Sequence, residues 1–225
     1  MADPRAASIK SPYAALRAFT RQVGQTERVA EVRPAEEHCE ICDEPINAEH
    51  RHLLELDTGQ VLCACRCCAI LFASSAAGGG VRKLIPNRCL YLADFAMTNA
   101  LWDSLRIPVN MAFFNASTPA RRVVAHYPGP MGSTESLLTL ETWDALVEHN
   151  PILTTMEADV EALLVNRVGE ARDYFLAPID ECFRLVGLIR LQWRGLGGGR
   201  DVWPAIERFF IGLKERAECG GGRHA

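Results

Sequence analysis

Six of the nine cysteines fall within thirty residues, at Cys39, Cys42, Cys63, Cys65, Cys67 and Cys68, while Cys89, Cys182 and Cys219 are scattered. A disulfide framework spreads an even number of cysteines along a short secreted chain. An odd number, mostly in one cluster, points instead to metal binding in a reducing compartment. Two C-x-x-C pairs, Cys39/Cys42 and Cys65/Cys68, have 22 residues between them. Two residues between cysteines let a tight turn aim both sulfurs at one ion, and two such turns complete a tetrahedron. This constraint dominates the fold, because the chain must bring residues 39–42 back against residues 65–68.

The intervening segment has the pattern to do so. Leu53–Leu56 and Gln60–Cys63 read as strands around Asp57-Thr58-Gly59, and Ala69-Ile70-Leu71-Phe72 begins a helix just after Cys65. Knuckle, hairpin and helix in that order predict a treble-clef or zinc-ribbon-like module with Cys39, Cys42, Cys65 and Cys68 as metal ligands. A helix N-terminus beside Cys65 also favours thiolate. Closed four-thiolate sites with this spacing usually hold Zn2+; a rubredoxin-like iron or an iron–sulfur cluster on the same sulfurs is the alternative. Cys63 lies two residues from Cys65 and could replace it on a strand face, and His38, His50 or His52 could replace one sulfur. Cys67 is expected to be a bystander.

Outside residues 38–75, the pattern predicts an arm over residues 1–37, an α+β domain over 81–218 and a flexible tail over 219–225. The arm carries one helix, with Ser11 as cap and Tyr13, Leu16, Phe19 and Val23 at helical spacing. A flexible joint, Ala76-Ala77-Gly78-Gly79-Gly80, follows the cysteine module. In the α+β domain, strands are expected at 109–114 and 122–127, and again at 160–166 and 174–179. Helices are expected over 140–149, from a cap at Asp180 to about Trp193, and from Asp201 onward. Strand pairs with separate helices argue for an antiparallel α+β architecture rather than an alternating parallel one.

Net charge is −4, with 24 Lys+Arg against 28 Asp+Glu, which removes the electrostatic attraction that most nucleic-acid binders use. No window approaches the roughly 18 apolar residues that span a bilayer, and residues 1–37 lack a signal-peptide pattern, so a cytoplasmic protein is expected. No nucleophile–base motif is present. Ser133 to Glu135 reads as a turn or cap, and Gly195 to Arg200 as a connection between helices rather than a phosphate loop. Asp180, Arg184, Arg190 and Arg194 border the long helix. Should the second domain hold a pocket, these arginines and Glu135 are the first polar candidates. His126 and the tryptophans read as packing residues.

Four segments, HCEICDEPINAEHRHLLELDTGQVLCACRCCAILF, NALWDSLRIPVNMAFF, YPGPMGSTESLL and PIDECFRLVGLIRLQWRGLGGG, resemble a protein family encoded beside oxygen-tolerant (high-affinity) uptake nickel–iron hydrogenases. The likeness covers most of the chain beyond the arm and includes Cys39, Cys42, Cys63, Cys65 and Cys68, with Cys67 additional. It implies a non-catalytic metal-binding accessory protein that assists assembly or maturation through contacts with a hydrogenase subunit or maturation factor. An electron-transfer protein serving that hydrogenase is the alternative, if the cysteines hold iron.

Overall fold

The computed structural model describes residues 37–74, 80–129, 131–137, 140–195 and 197–219. The helix expected in the N-terminal arm lies outside these residues, as do most of the Gly-rich joint and of the tail. Glu37–Ala225 is one compact unit. Its architecture is mixed α+β with antiparallel sheets, as the sequence pattern predicts.

The first part of the unit is built from short strands. Strands β1 (Glu37–His38) and β2 (Pro45–Ile46) pair around the first cysteine turn, and β3 (Arg51–Glu55) and β4 (Gln60–Ala64) form the expected hairpin. The six-residue helix α1 (Arg66–Leu71) follows. Strand β5 (Arg82–Leu84) lies beyond the Gly-rich joint yet pairs with β3, so the hairpin becomes a three-stranded sheet.

The second part is a seven-stranded sheet. In chain order its elements are β6 (Leu90–Tyr91), α2 (Asn99–Ser104), β7 (Met111–Ser117), β8 (Arg122–Gly129), β9 (Gly132–Leu137) and α3 (Leu140–His149). After a 3-10 turn at Pro151–Thr155 come β10 (Glu161–Asn166), β11 (Asp173–Pro178), α4 (Ile179–Gln192), α5 (Val202–Arg216) and β12 (Glu218–Cys219). Sheet order is β12-β6-β11-β10-β7-β8-β9, and only the β12–β6 pair is parallel.

Both faces of this sheet are covered, which explains the unbroken apolar run of Ala162 to Val165 in its centre. Successive side chains of a strand point to opposite faces. Ala162 and Leu164 therefore join Phe113, Phe175 and the buried stripes of α4 and α5 on one side. Leu163 and Val165 join Phe114, Trp102 of α2 and Leu146 of α3 on the other.

The cysteine-bearing sheet is fastened to this body. Leu54 and Ile85 are buried in the α4/α5 core. Lys83 on β5 donates to the buried Asp159 carboxylate at 2.9 Å, and Arg88 grips the buried Glu161 through Nε at 2.8 Å and Nη2 at 2.5 Å. No helix among the described residues is long and apolar enough to cross a membrane.

Two local expectations change. Gly132–Leu137, including Ser133 to Glu135, is the edge strand β9 paired with β8, not a turn or cap. An edge strand has one neighbour and needs few apolar residues, so its composition resembles a loop. Asp180 is not the cap of α4. Pro178 holds the extended position before the helix, with φ −58° and ψ 144°, and Asp180 falls in the first turn. Proline is well suited there because the first turn has no use for its missing N–H.

Candidate metal centre

The first cysteine turn is held by backbone hydrogen bonds. Cys39 N–H donates to Glu44 O at 2.8 Å and Asp43 N–H to Cys39 O at 2.8 Å. Asp43 takes the left-handed conformation, φ 63°, which aspartate tolerates better than most side chains. Glu40 then locks this turn to the hairpin: its N–H donates to Cys63 O at 2.9 Å, and its carboxylate accepts from Cys63 N–H at 2.6 Å. The second pair is set by α1. Cys65 is its N-cap, Cys68 lies in its first turn, and Cys68 N–H donates to Cys65 Sγ at 3.4 Å.

These two turns bring Cys39, Cys42, Cys65 and Cys68 together, with all four sulfurs within 4.8 Å of one another. Cys42 Sγ and Cys65 Sγ are 3.6 Å apart. A disulfide needs about 2.05 Å. A tetrahedral ion with metal–sulfur bonds of about 2.3 Å sets its sulfurs about 3.8 Å apart, so the observed spacing suits a shared ion. Cys39, Cys65 and Cys68 are buried and Cys42 is exposed. Leu53, Leu62 and Ala64 of the hairpin form the apolar floor beneath them.

Electrostatics within the cluster are uneven. Burial opposes charge on Cys39, but N–H groups of Cys65, Ile41 and Cys42 outweigh it and bring that thiol down to about 6. Burial, reinforced by the neighbouring thiols, pushes Cys68 up. Cys42 is favoured as thiolate by the Glu44 N–H and by Cys68, yet Cys39 and Cys65 raise it overall. Like charges crowded at this spacing repel, and a cation among them removes that conflict. The four sulfurs are thus placed to hold a metal ion as an all-thiolate, closed site.

Cys67 is exposed and outside this group. Neither Cys63 nor any histidine belongs to it. His38 turns its Nδ1 to Asp43 O at 2.9 Å, while His50, His52 and Cys63 gather in a second group. Cys89 is half-buried, and its burial pushes the thiol up to about 11. Cys182 is fully buried in the core.

The polar candidates of the larger domain do not converge. Glu135 lines a groove of about 310 Å³ with Asn115, His126 and Ser133, and none of the named arginines borders it. His126 is a packing residue: it stacks on Phe113 with centroids 4.7 Å apart, and its Nε2 meets Asn115 Oδ1 at 3.0 Å. Arg184 pairs with Glu181, and Arg194 donates to the Leu191 and Trp193 carbonyls. Asp180 accepts from His52 Nδ1 at 2.7 Å, a contact across 128 residues that no sequence spacing signals.

Fold and site together define an α+β protein that carries a tetrathiol cluster able to hold a metal ion. Residues 38–217 match the family of unknown function DUF5947, and the chain belongs to that family. No curated protein and no solved structure matches it.

Proposed function

We propose that this chain is a cytoplasmic zinc-binding accessory protein that assists assembly or maturation of a nickel–iron hydrogenase through protein–protein contacts, without turnover of its own. The convergence of Cys39, Cys42, Cys65 and Cys68 carries the reading. An all-sulfur set that leaves no open position is the chemistry of a structural zinc site, in which the ion contributes folding free energy rather than reactivity. The order of turn, hairpin and helix supports a treble-clef-like module around that ion. Partner choice rests on the resemblance of the four sequence segments to the family encoded beside uptake hydrogenases. Ile70 and Leu71 on α1, exposed at 67% and 57%, supply apolar surface beside the cluster that a protein contact would bury.

Affinity capture of the full chain from its native host tests this reading. A hydrogenase subunit or maturation factor should be recovered with the wild type and with Glu135→Gln, and lost with Cys39→Ser or Cys68→Ser. Deletion should lower mature hydrogenase while its transcripts persist. Unchanged hydrogenase activity in the deletion strain, with no hydrogenase-related protein captured, would overturn it. A visible chromophore and stoichiometric iron in anaerobically purified protein would transfer the same cysteines to electron transfer.

A further inference from the structure

The hairpin that supports the tetrathiol cluster carries a second set of ligand atoms. In the β3–β4 register His52 stands opposite Cys63. His50 precedes His52 by two residues, which places the two rings on one side of the chain, and their centroids are 4.8 Å apart. One nitrogen of each ring and the Cys63 sulfur all lie within 4.8 Å of one another. Neighbouring positions Leu53, Leu62 and Ala64 face the tetrathiol cluster instead.

Hydrogen bonding selects the nitrogens. His50 Nδ1 meets Asn47 O at 2.9 Å, and a carbonyl accepts only, so the proton sits on Nδ1. His52 Nδ1 donates to Asp180 Oδ2 at 2.7 Å. Each ring therefore keeps an Nε2 lone pair free of these contacts. His50 Nε2 is buried with no hydrogen-bond partner, on a side chain only 10% exposed. A buried polar atom left without a partner is costly, and here the missing partner is an electron-pair acceptor. A carboxylate on the far nitrogen of a ligating imidazole, as Asp180 is to His52, is the usual companion of a metal ligand because it fixes the ring and raises its basicity.

We propose that His50, His52 and Cys63 form a second metal site that takes a zinc-class divalent ion through two imidazole nitrogens and one thiolate. Asp180 positions His52, and binding releases the Cys63 thiol proton to solvent. Among the described residues no fourth side chain completes the set, so one coordination position belongs to water or an exogenous ligand. His50 and His52 also border a groove of about 420 Å³, with Asn87, Cys89 and Asp180 on its walls. Two nitrogens, one sulfur and an open position are the arrangement of reactive rather than purely structural zinc. The site stands independently of what the tetrathiol cluster holds.

Titration of the metal-depleted full chain with Co2+, followed by Zn2+ competition, tests the assignment. Wild type should take up two equivalents with distinct spectra, one of four thiolates and one of mixed nitrogen and sulfur. Cys63→Ser and the pair His50→Ala with His52→Ala should each lose the mixed signal. They should keep the four-thiolate signal, which certifies that the module is folded. Asp180→Asn should weaken the mixed site about 10- to 100-fold and leave the other unchanged. Cys39→Ser should abolish both signals, because residues 38–73 lose their fold with the four-thiolate ion, so the Cys63 and histidine variants are the ones that read the two sites separately. Uptake that no substitution at His50, His52, Cys63 or Asp180 alters would overturn the proposal.

Discussion

Asp159 offers a direct test of how the cysteine-bearing sheet is anchored. Its carboxylate, 3% exposed, accepts from Thr118 N–H at 2.6 Å, Thr118 Oγ1 at 2.7 Å and Lys83 Nζ at 2.9 Å. Its backbone is left-handed, φ 71°, which asparagine tolerates and alanine does not. Asp159→Asn keeps the backbone and one acceptor oxygen but removes the charge, and should cost about 1.5–3 kcal/mol, the worth of a hydrogen bond to a charged group. Asp159→Ala strands Lys83 and Thr118 together, and should cost about 3–5 kcal/mol as a broken buried pair, with a further ~1–2 kcal/mol for the left-handed backbone. Burial works against the Asp159 charge, but the Thr118 hydroxyl and N–H and the Lys83 ammonium outweigh it and hold the carboxyl below its ordinary value. A group depressed in the folded state stabilises fully above its unfolded pKa of about 3.9, and that stabilisation is lost as pH falls through the lower folded value. Urea unfolding at fixed free zinc should therefore show the full gap between wild type and Asp159→Asn at about pH 7, closing steadily below about pH 3.9. A gap under ~0.5 kcal/mol, or one that stays constant into acid, would refute the reasoning.

Two further substitutions probe the larger domain. Phe175 is fully buried, with the Tyr91 ring 5.2 Å and the Phe210 ring 6.1 Å away, so Phe175→Ala should lower stability by about 3–5 kcal/mol in chemical denaturation. Gly198 has φ +85°, and an added Cβ would sit 2.8 Å from Val202 Cγ1, so Gly198→Ala should destabilise by about 1–3 kcal/mol. Gly187 lies within α4 with open space at its Cβ position, so there alanine should instead raise the melting temperature, by up to about 1 kcal/mol of stability.

The parts of this fold that sequence patterning reveals are those whose periodicity reports burial. The hairpins around Asp57-Thr58-Gly59 and residues 168–170 appear, as do the helices at 140–149 and after Pro178. The β7–β8 hairpin also appears, but it turns at residues 118–121 rather than 115–119, because Asn115 to Ser117 stay paired in β7. Strands β5, β6 and β12 are only two or three residues long, too short for any period; β5 and β6 form because a longer neighbour offers its edge, and β12 adds to β6 in turn. Helix α2 is six residues held by the Thr98 cap and the burial of Trp102, again too little for a periodic signal. The tetrathiol cluster was legible because C-x-x-C spacing is itself geometry. His50, His52 and Cys63 were visible only as possible substitutes for one sulfur. Their grouping depends on cross-strand register, and on Asp180 reaching back from another part of the chain, and neither is written in local spacing. Cys63 and Cys65 also part company because β4 ends at Ala64 and Cys65 turns into the cap of α1.

The central claim is that Cys39, Cys42, Cys65 and Cys68 hold a structural zinc ion, and metal analysis of single variants purified without oxygen tests it most directly. Wild type and Cys67→Ser should be colourless, and both should carry zinc on the four-thiolate site. Cys39→Ser and Cys68→Ser should lose that ion, and hydrogen exchange should show residues 38–73 unprotected, because the ion supplies much of this small module's folding free energy. Zinc lost from Cys67→Ser but retained by Cys39→Ser, or iron with visible absorption in the wild type, would contradict it.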